Sequence, residues 1–223
     1  MDNQSIRLNK FLAERLGVSR READELIADG KIIIDGKTAV TGVKVDKNNE
    51  VCYNKKIVPF DTEFLYLAFN KPVGYVCSRH AQGSAPTIYK LLPKKYYQLK
   101  TVGRLDKDSS GLILLTNDGN FAFQMTHPKF RKTKIYEVDL DKPLQPLHQQ
   151  MISEFGVMLD DGPSQFKIIK DEHYTVFLTE GRNRQIRRTF AALGYKVTRL
   201  HRTHFGKYEL GDLSTGKYVI IEP

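Results

Sequence analysis

The chain has 223 residues, 40% of them hydrophobic, which is enough to build one large core or a small one joined to a medium one. Thirty-five lysines and arginines against 26 aspartates and glutamates leave +9 at pH 7, a balance that favours an anionic partner such as nucleic acid. Two cysteines without C-x-x-C spacing rule out a disulfide framework and a thiolate zinc site, no apolar run approaches the ~20 residues of a membrane helix, and MDNQSIRLNK has no signal-peptide core, so a cytoplasmic location is expected.

In chain order, IRLNKFLAERLG spaces Leu8, Phe11, Leu12 and Leu16 as one face of a helix, with Gly17 as its stop. SRREADELIADG predicts a second helix: Ser19 and Glu22 form a capping box, Ala23, Leu26 and Ile27 make its apolar face, and Gly30 ends it. KIIIDGKTAV reads as a hairpin turned at Asp35-Gly36, and a strand around Glu50 to Tyr53 closes the unit. The pattern loosens at Val58 to Glu63, which predicts a linker and two domains, residues 1–60 and 61–223.

Beyond the linker, FLYLAF, GYVC, GLILLT, TKIYEVDL, SQFKIIK, YTVFLTEG, YKVTRLHRTHF and GKYVIIEP are rich in β-branched and aromatic residues and read as strands. GNFAFQMT, PLQPLHQQMISEF and RQIRRTFAAL read as helices. Their uneven order predicts an α+β domain on a mixed, largely antiparallel sheet, not a doubly wound fold. His201 and His204 lie three apart in an extended stretch, where they cannot converge on a metal.

Helix, helix and hairpin with basic residues at the helix ends resemble the alpha-L RNA-binding motif of ribosomal proteins, through R-L-x-K-F-L at Arg7 to Leu12, S-R-x-x-A at Ser19 to Ala23 and G-K-I-x-I-D-G at Gly30 to Gly36. The resemblance implies that Arg7, Lys10, Arg20, Arg21 and Lys31 face RNA phosphates, so that binding weakens with salt. The segment through Phe60 holds 11 basic and 9 acidic residues, so a positive patch there has to come from clustering.

GRLDKDSSGLILLT, Gly103 to Thr116, sets Asp106 and Asp108 at the mouth of an apolar strand. Asp106, Asp108, Ser110 and Gly111 match the first half of a calcium loop, but Leu114 and Asn117 stand at its ninth and twelfth positions, where a bidentate Glu should close it. An aspartyl-phosphate site also uses D-x-D, but places it after the apolar strand. What remains is a carboxylate that attacks carbon, and such a group needs a nearby cation to stay ionised in a dry pocket. The arginines of EGRNRQIRR, Glu180 to Arg188, can supply one, although Arg182, Arg184 and Arg188 could equally be a basic helix face touching phosphates. Asp108, Ser109 and Ser110 read as turn residues.

NKPVGYVCS at Asn70 to Ser78, GRLDKDSSGLILLTNDG at Gly103 to Gly119, KIYEV at Lys134 to Val138 and LTEGRNRQIRR at Leu178 to Arg188 are similar, in this order, to the motifs of the ribosomal small subunit pseudouridine synthase family. The resemblance spans essentially the whole chain. It implies an isomerase that detaches uracil from its ribose in RNA, rotates it and rejoins it through carbon 5, with no cofactor and no metal. Carried over by position, Asp106 is the nucleophile, Arg187 pairs with it, and Tyr136 stacks on the target base and is a candidate for proton removal. Arg104 fills the gap left by the extruded nucleotide, Arg184 contacts RNA, and Lys71, with Pro72, shapes the wall of the site against the RNA. Leu200 is an aliphatic contact beneath the base. A flipped-out uridine fits an inserted Arg and an aromatic platform. The implied partner is ribosomal RNA or a pre-ribosomal particle, with small-subunit rRNA favoured over large-subunit rRNA, and the expected state is a monomer. The rival reading is a non-catalytic rRNA-binding assembly factor on the same fold.

Overall fold

The second helix starts as its sequence dictates. The Ser19 hydroxyl accepts from the Glu22 amide at 3.1 Å and the Glu22 carboxylate accepts from the Ser19 amide at 2.5 Å. Two amides left open by the helix end are thereby satisfied. In this computed structural model the described residues are 5–61, 63–79 and 83–223, so Thr62 of the expected linker and the first four residues of the N-terminal stretch lie outside them.

The chain divides into two compact units, the first running to Leu65 and taking in Lys95–Lys100 and Thr116–Gly119. In it the helices Leu8–Arg15 and Arg20–Ala28 precede an antiparallel sheet ordered Lys37–Thr38, Ile32–Ile34, Val51–Tyr53, Lys56–Ile57. The hairpin turns at Asp35 and Gly36, both with positive φ (49° and 78°), the geometry that the Asp-Gly pair favours. Phe11, Leu12, Ala23, Ile32 and Val51 are buried in one core, each large side chain contributing roughly 1.5–3 kcal/mol. A two-residue pairing of Ile6–Arg7 with Lys44–Val45 is too short to read from the sequence. The segment from Lys95 joins this unit because the Lys100 ammonium donates to the carbonyls of Ala13 (3.1 Å) and Val18 (2.7 Å) at the end of the first helix.

The second unit, Tyr66–Lys94, Thr101–Leu115 and Asn120–Pro223, is built on one sheet. Its path runs Lys167–Lys170, Tyr174–Leu178, Lys134–Leu140, Val197–Phe205, Ser110–Thr116, Tyr66–Lys71, Tyr218–Ile220. The Val197–Phe205 strand pairs antiparallel with Lys134–Leu140 and parallel with Ser110–Thr116, so the sheet is mixed. Helices Gly119–Thr126 and Gln185–Ala192 fall where their patterns place them. GYVC does not form the expected strand: Val76 makes only an isolated bridge to Thr87. The residues before it leave the sheet in a turn at Gly74 (φ 93°), whose amide donates to the Lys107 carbonyl, so this segment braces a loop instead of extending the sheet.

Candidate active site

Two adjoining strands make the floor of a cleft of about 370 Å³. On Lys134–Leu140 the two-residue period turns Lys134 and Tyr136 to one face. On Val197–Phe205 it does the same for Leu200 and Arg202. A bulge then intervenes, because Tyr136 pairs with Arg202 while Ile135 pairs with His204, leaving Thr203 as the extra residue. That one-residue slip brings Phe205 back to the face of Leu200 and Arg202, and all five side chains line the cleft. Tyr136 is 7% exposed.

Asp106 stands at the rim, on the loop between Val102 and Ser110, and lines the same cleft with Arg104. The loop is held from behind. Lys71 is fully buried, and its ammonium donates to the carbonyls of Ser109 (2.6 Å), Pro72 (3.0 Å) and Lys107 (3.5 Å), while the Leu105 amide donates to the Cys77 sulfur at 3.4 Å. Burial pulls the Lys71 pKa down to about 8, with Cys77, Asp106 and Asp108 pulling the other way. This corrects the expectation that Lys71 contacts RNA. A lysine with no exposed surface cannot reach a phosphate, and what buries it is the need of three loop carbonyls for donors.

The cation beside Asp106 is Arg184. Its Nη1 lies 3.8 Å from Asp106 Oδ2 and 3.3 Å from Asp108 Oδ2. Arg184 caps the Gln185–Ala192 helix in the left-handed conformation (φ 46°), a state uncommon for a side-chain-bearing residue, and from there its side chain reaches the loop. The expected ion pair between Arg187 and Asp106 is replaced. Three residues into the helix, Arg187 donates to the main-chain carbonyls of Asp108 and Val197, both at 2.9 Å. A guanidinium pressed into a packed interface takes the acceptors it finds there, and burial lowers its pKa. Arg187 thus still grips the loop, through its backbone.

The remaining arginines of EGRNRQIRR are neutralised within the protein. Arg182 binds Asp161 at 2.9 Å together with the carbonyls of Gly162 and Pro163, and Arg188 binds both Asp160 and Asp161. Their geometry does not fit the reading of a basic face for phosphates. Leu200 is buried in the cleft floor. Ser110 accepts or donates a hydrogen bond with His201 Nδ1 at 2.8 Å.

Two cleft cations were not singled out in the sequence. Lys134 has its pKa lowered to about 8, chiefly by burial and then by Arg202. Arg202, 2% exposed, donates through Nε to the Leu112 carbonyl at 2.7 Å and lies over the Phe205 ring, 4.8 Å from its centre. The signal that could have found them is the strand period itself, counted two residues from Tyr136 and from Leu200.

Of the phosphate-facing residues expected in the first unit, Arg7, Arg20 and Arg21 are exposed and no carboxylate of a described residue lies within ion-pair distance. Lys31 is bound to Asp29 at 2.8 Å and Lys10 lies 4.0 Å from Glu14. Among the described residues no group of three or more His, Cys, Asp or Glu side chains is placed to hold a metal ion, and no helix is long and apolar enough to cross a membrane.

A rim carboxylate beside a guanidinium, over a floor carrying a buried tyrosine and two cations, makes a cleft whose charge and shape suit an anionic, planar ligand. The comparisons are specific. The family profile described as "RNA pseudouridylate synthase" matches residues 65–192, and that described as "S4 domain" matches residues 6–58. "Ribosomal small subunit pseudouridine synthase A" of Pasteurella multocida (strain Pm70) is 38% identical over 221 residues, covering 96% of this chain and 94% of that protein. "Ribosomal large subunit pseudouridine synthase B" of Bacillus subtilis (strain 168) is 35% identical over 223 residues, covering 94% and 89%. The solved structure titled "Crystal structure of pseudouridylate synthase" matches with a TM-score of 0.70 at 34% identity, covering 98% of this chain and 96% of that one. The chain therefore belongs to the RNA pseudouridine synthase family, isomerases that act on RNA, and carries an S4 domain ahead of its synthase domain. The assembly-factor reading finds no support, since these relatives are named as synthases.

Proposed function

We propose that this enzyme isomerises a specific uridine of ribosomal RNA, in the small subunit, acting as a cytoplasmic monomer whose site comes from one chain. The small-subunit target is supported by the relative at 38% identity, against 35% for the large-subunit one. The observation that carries the mechanism is Arg184 beside Asp106 at the rim of a cleft floored by Tyr136.

In this reading the Asp106 carboxylate supplies an electron pair to C1′ of the flipped uridine while the N1–C1′ bond breaks and its pair leaves with uracil. The base turns, C5 attacks C1′ and expels the carboxylate, the proton on C5 is removed, and N1 gains one. Arg184 sets its positive charge beside Asp106, Tyr136 stacks on the base and is the candidate for taking the proton, Leu200 supports the ring, and Arg104 occupies the gap in the RNA. Arg187 and Lys71 act on Asp106 through the backbone of its loop. Residues 1–60 form the module that grips RNA phosphates, through Arg7, Arg20 and Arg21 more than through the paired Lys10 and Lys31.

The test is tritium release from carbon 5 of labelled uridine in small-subunit and large-subunit rRNA transcripts, with wild type and Asp106→Asn. Release from one small-subunit uridine, lost in the variant by at least about a thousandfold, is expected. Release by Asp106→Asn at the wild-type rate would remove Asp106 as nucleophile, and release confined to large-subunit transcripts would overturn the target.

A further inference from the structure

The net positive charge of this protein has to meet RNA somewhere, yet Arg182, Arg188 and Arg199 are spent on Asp161, Asp160 and Glu137. Among the described residues Lys129, Arg131 and Lys132 have no carboxylate within ion-pair distance. All three lie in HPKFRK, His127 to Lys132, directly after the Gly119–Thr126 helix.

The same segment and the helix before it hold rings that a solvated turn has no use for. Phe123 is 46% exposed and Phe130 37%, and with the exposed His127 they form one cluster, ring centres 4.7 to 6.4 Å apart. The Lys129 ammonium lies over both phenylalanines, 5.2 and 4.7 Å from their centres. The turn is built, not slack: the His127, Phe130 and Arg131 amides are bonded to Phe123, His127 and Pro128 carbonyls, and the Lys129 amide donates to His127 Nδ1 at 3.2 Å. It is continuous with the cleft, whose lining includes Thr126 and Pro128 as well as Arg104 and Asp106.

We propose that Phe123, His127 and Phe130, with Lys129, Arg131 and Lys132, form a binding ledge for an unpaired RNA segment flanking the target uridine. Exposed aromatic faces beside uncompensated cations are the combination that binds single-stranded nucleic acid, since any base can stack and each cation neutralises a phosphate. A paired helix would hide its base faces, so the occupant is single-stranded. A strand entering the cleft with one base swung out leaves its neighbours unstacked, and the ledge offers them a replacement surface. The proposal rests on the reading of the protein as an RNA-modifying enzyme and names where that RNA lies outside the cleft.

The test uses the full chain and a short oligouridylate carrying one 2-aminopurine, whose fluorescence is quenched by stacking. Wild type should quench the probe. Phe123→Leu/Phe130→Leu, which keeps apolar bulk and removes the π faces, should abolish quenching and weaken binding roughly tenfold, while Phe123→Tyr/Phe130→Tyr retains both. Lys129→Ala/Arg131→Ala should flatten the dependence of log affinity on log salt by about 1.4, the value for two phosphates of a single strand. Equal quenching and affinity in the leucine variant, or an unchanged salt slope in the alanine variant, would overturn the ledge. Turnover separates this from the reading beneath it: on rRNA the leucine variant should raise KM at constant kcat, whereas a wild type that modifies no RNA sinks the enzymatic reading and leaves the binding result standing.

Discussion

Among the cations that attend the loop carrying Asp106, Arg184 and Lys71 differ most in kind. Arg184 is 42% exposed, faces two carboxylates and touches no loop carbonyl, whereas Lys71 is wholly buried and its bonds go to carbonyls. Arg184 supplies charge that water partly screens, and Lys71 supplies shape that water never sees. Sequence motif alone ranks both as basic residues of a nucleic-acid enzyme. Their surroundings separate the one that faces the carboxylates from the one that holds the backbone of their loop.

Substituting each cation breaks that contrast in a different measurement. Lys71→Met strips donors from the Ser109 and Pro72 carbonyls and should cost about 2 kcal/mol of stability in a denaturant titration, with kcat down about a hundredfold as the loop loosens. Arg184→Gln should leave the melting curve in place and lower kcat roughly tenfold, with Arg184→Lys recovering most of it. Equal stability losses for Lys71→Met and Arg184→Gln would erase the distinction.

A subtler difference lies in pH. The folded Lys71 pKa of about 8 lies below its ordinary 10.5, so between those values the unfolded chain holds a proton that the folded chain has released. Stability of wild type relative to Lys71→Met should therefore rise as pH climbs from about 8 to 10.5, followed by urea midpoints. Arg184→Gln, which keeps Lys71, should track wild type.

The same contrast explains what the sequence made legible. The first unit could be read almost to the residue because its contacts are local: capping box, apolar face and Asp-Gly turn each lie within a few positions. Asp106, Tyr136 and Leu200 were named by resemblance to family motifs, and the structure lines one cleft with all three. The partner of Asp106 was not, since Arg184 and Arg187 stand three apart and only the left-handed backbone at Arg184 decides which side chain reaches the carboxylate. Lys71 at the end of FLYLAFNK could as well have faced solvent, because the carbonyls that enclose it are 36 and 38 positions away. HPKFRK carried no reading in the sequence, and its rings join Phe123 in a cluster through a turn that no periodicity encodes.

Gly111 follows the loop at the start of the Ser110–Thr116 strand, with φ 102° and Arg202 as its partner on the neighbouring strand. A Cβ there would sit 2.6 Å from the Arg202 nitrogen, so the two backbones are in contact with no side chain between them. The strand that leaves the Asp106 loop is thus locked to the strand that carries Leu200 and Arg202. In the proposed reaction the strand behind Asp106 and the strand beneath the base thus share one close-packed seam, and choosing among uridines falls to whatever surrounds it.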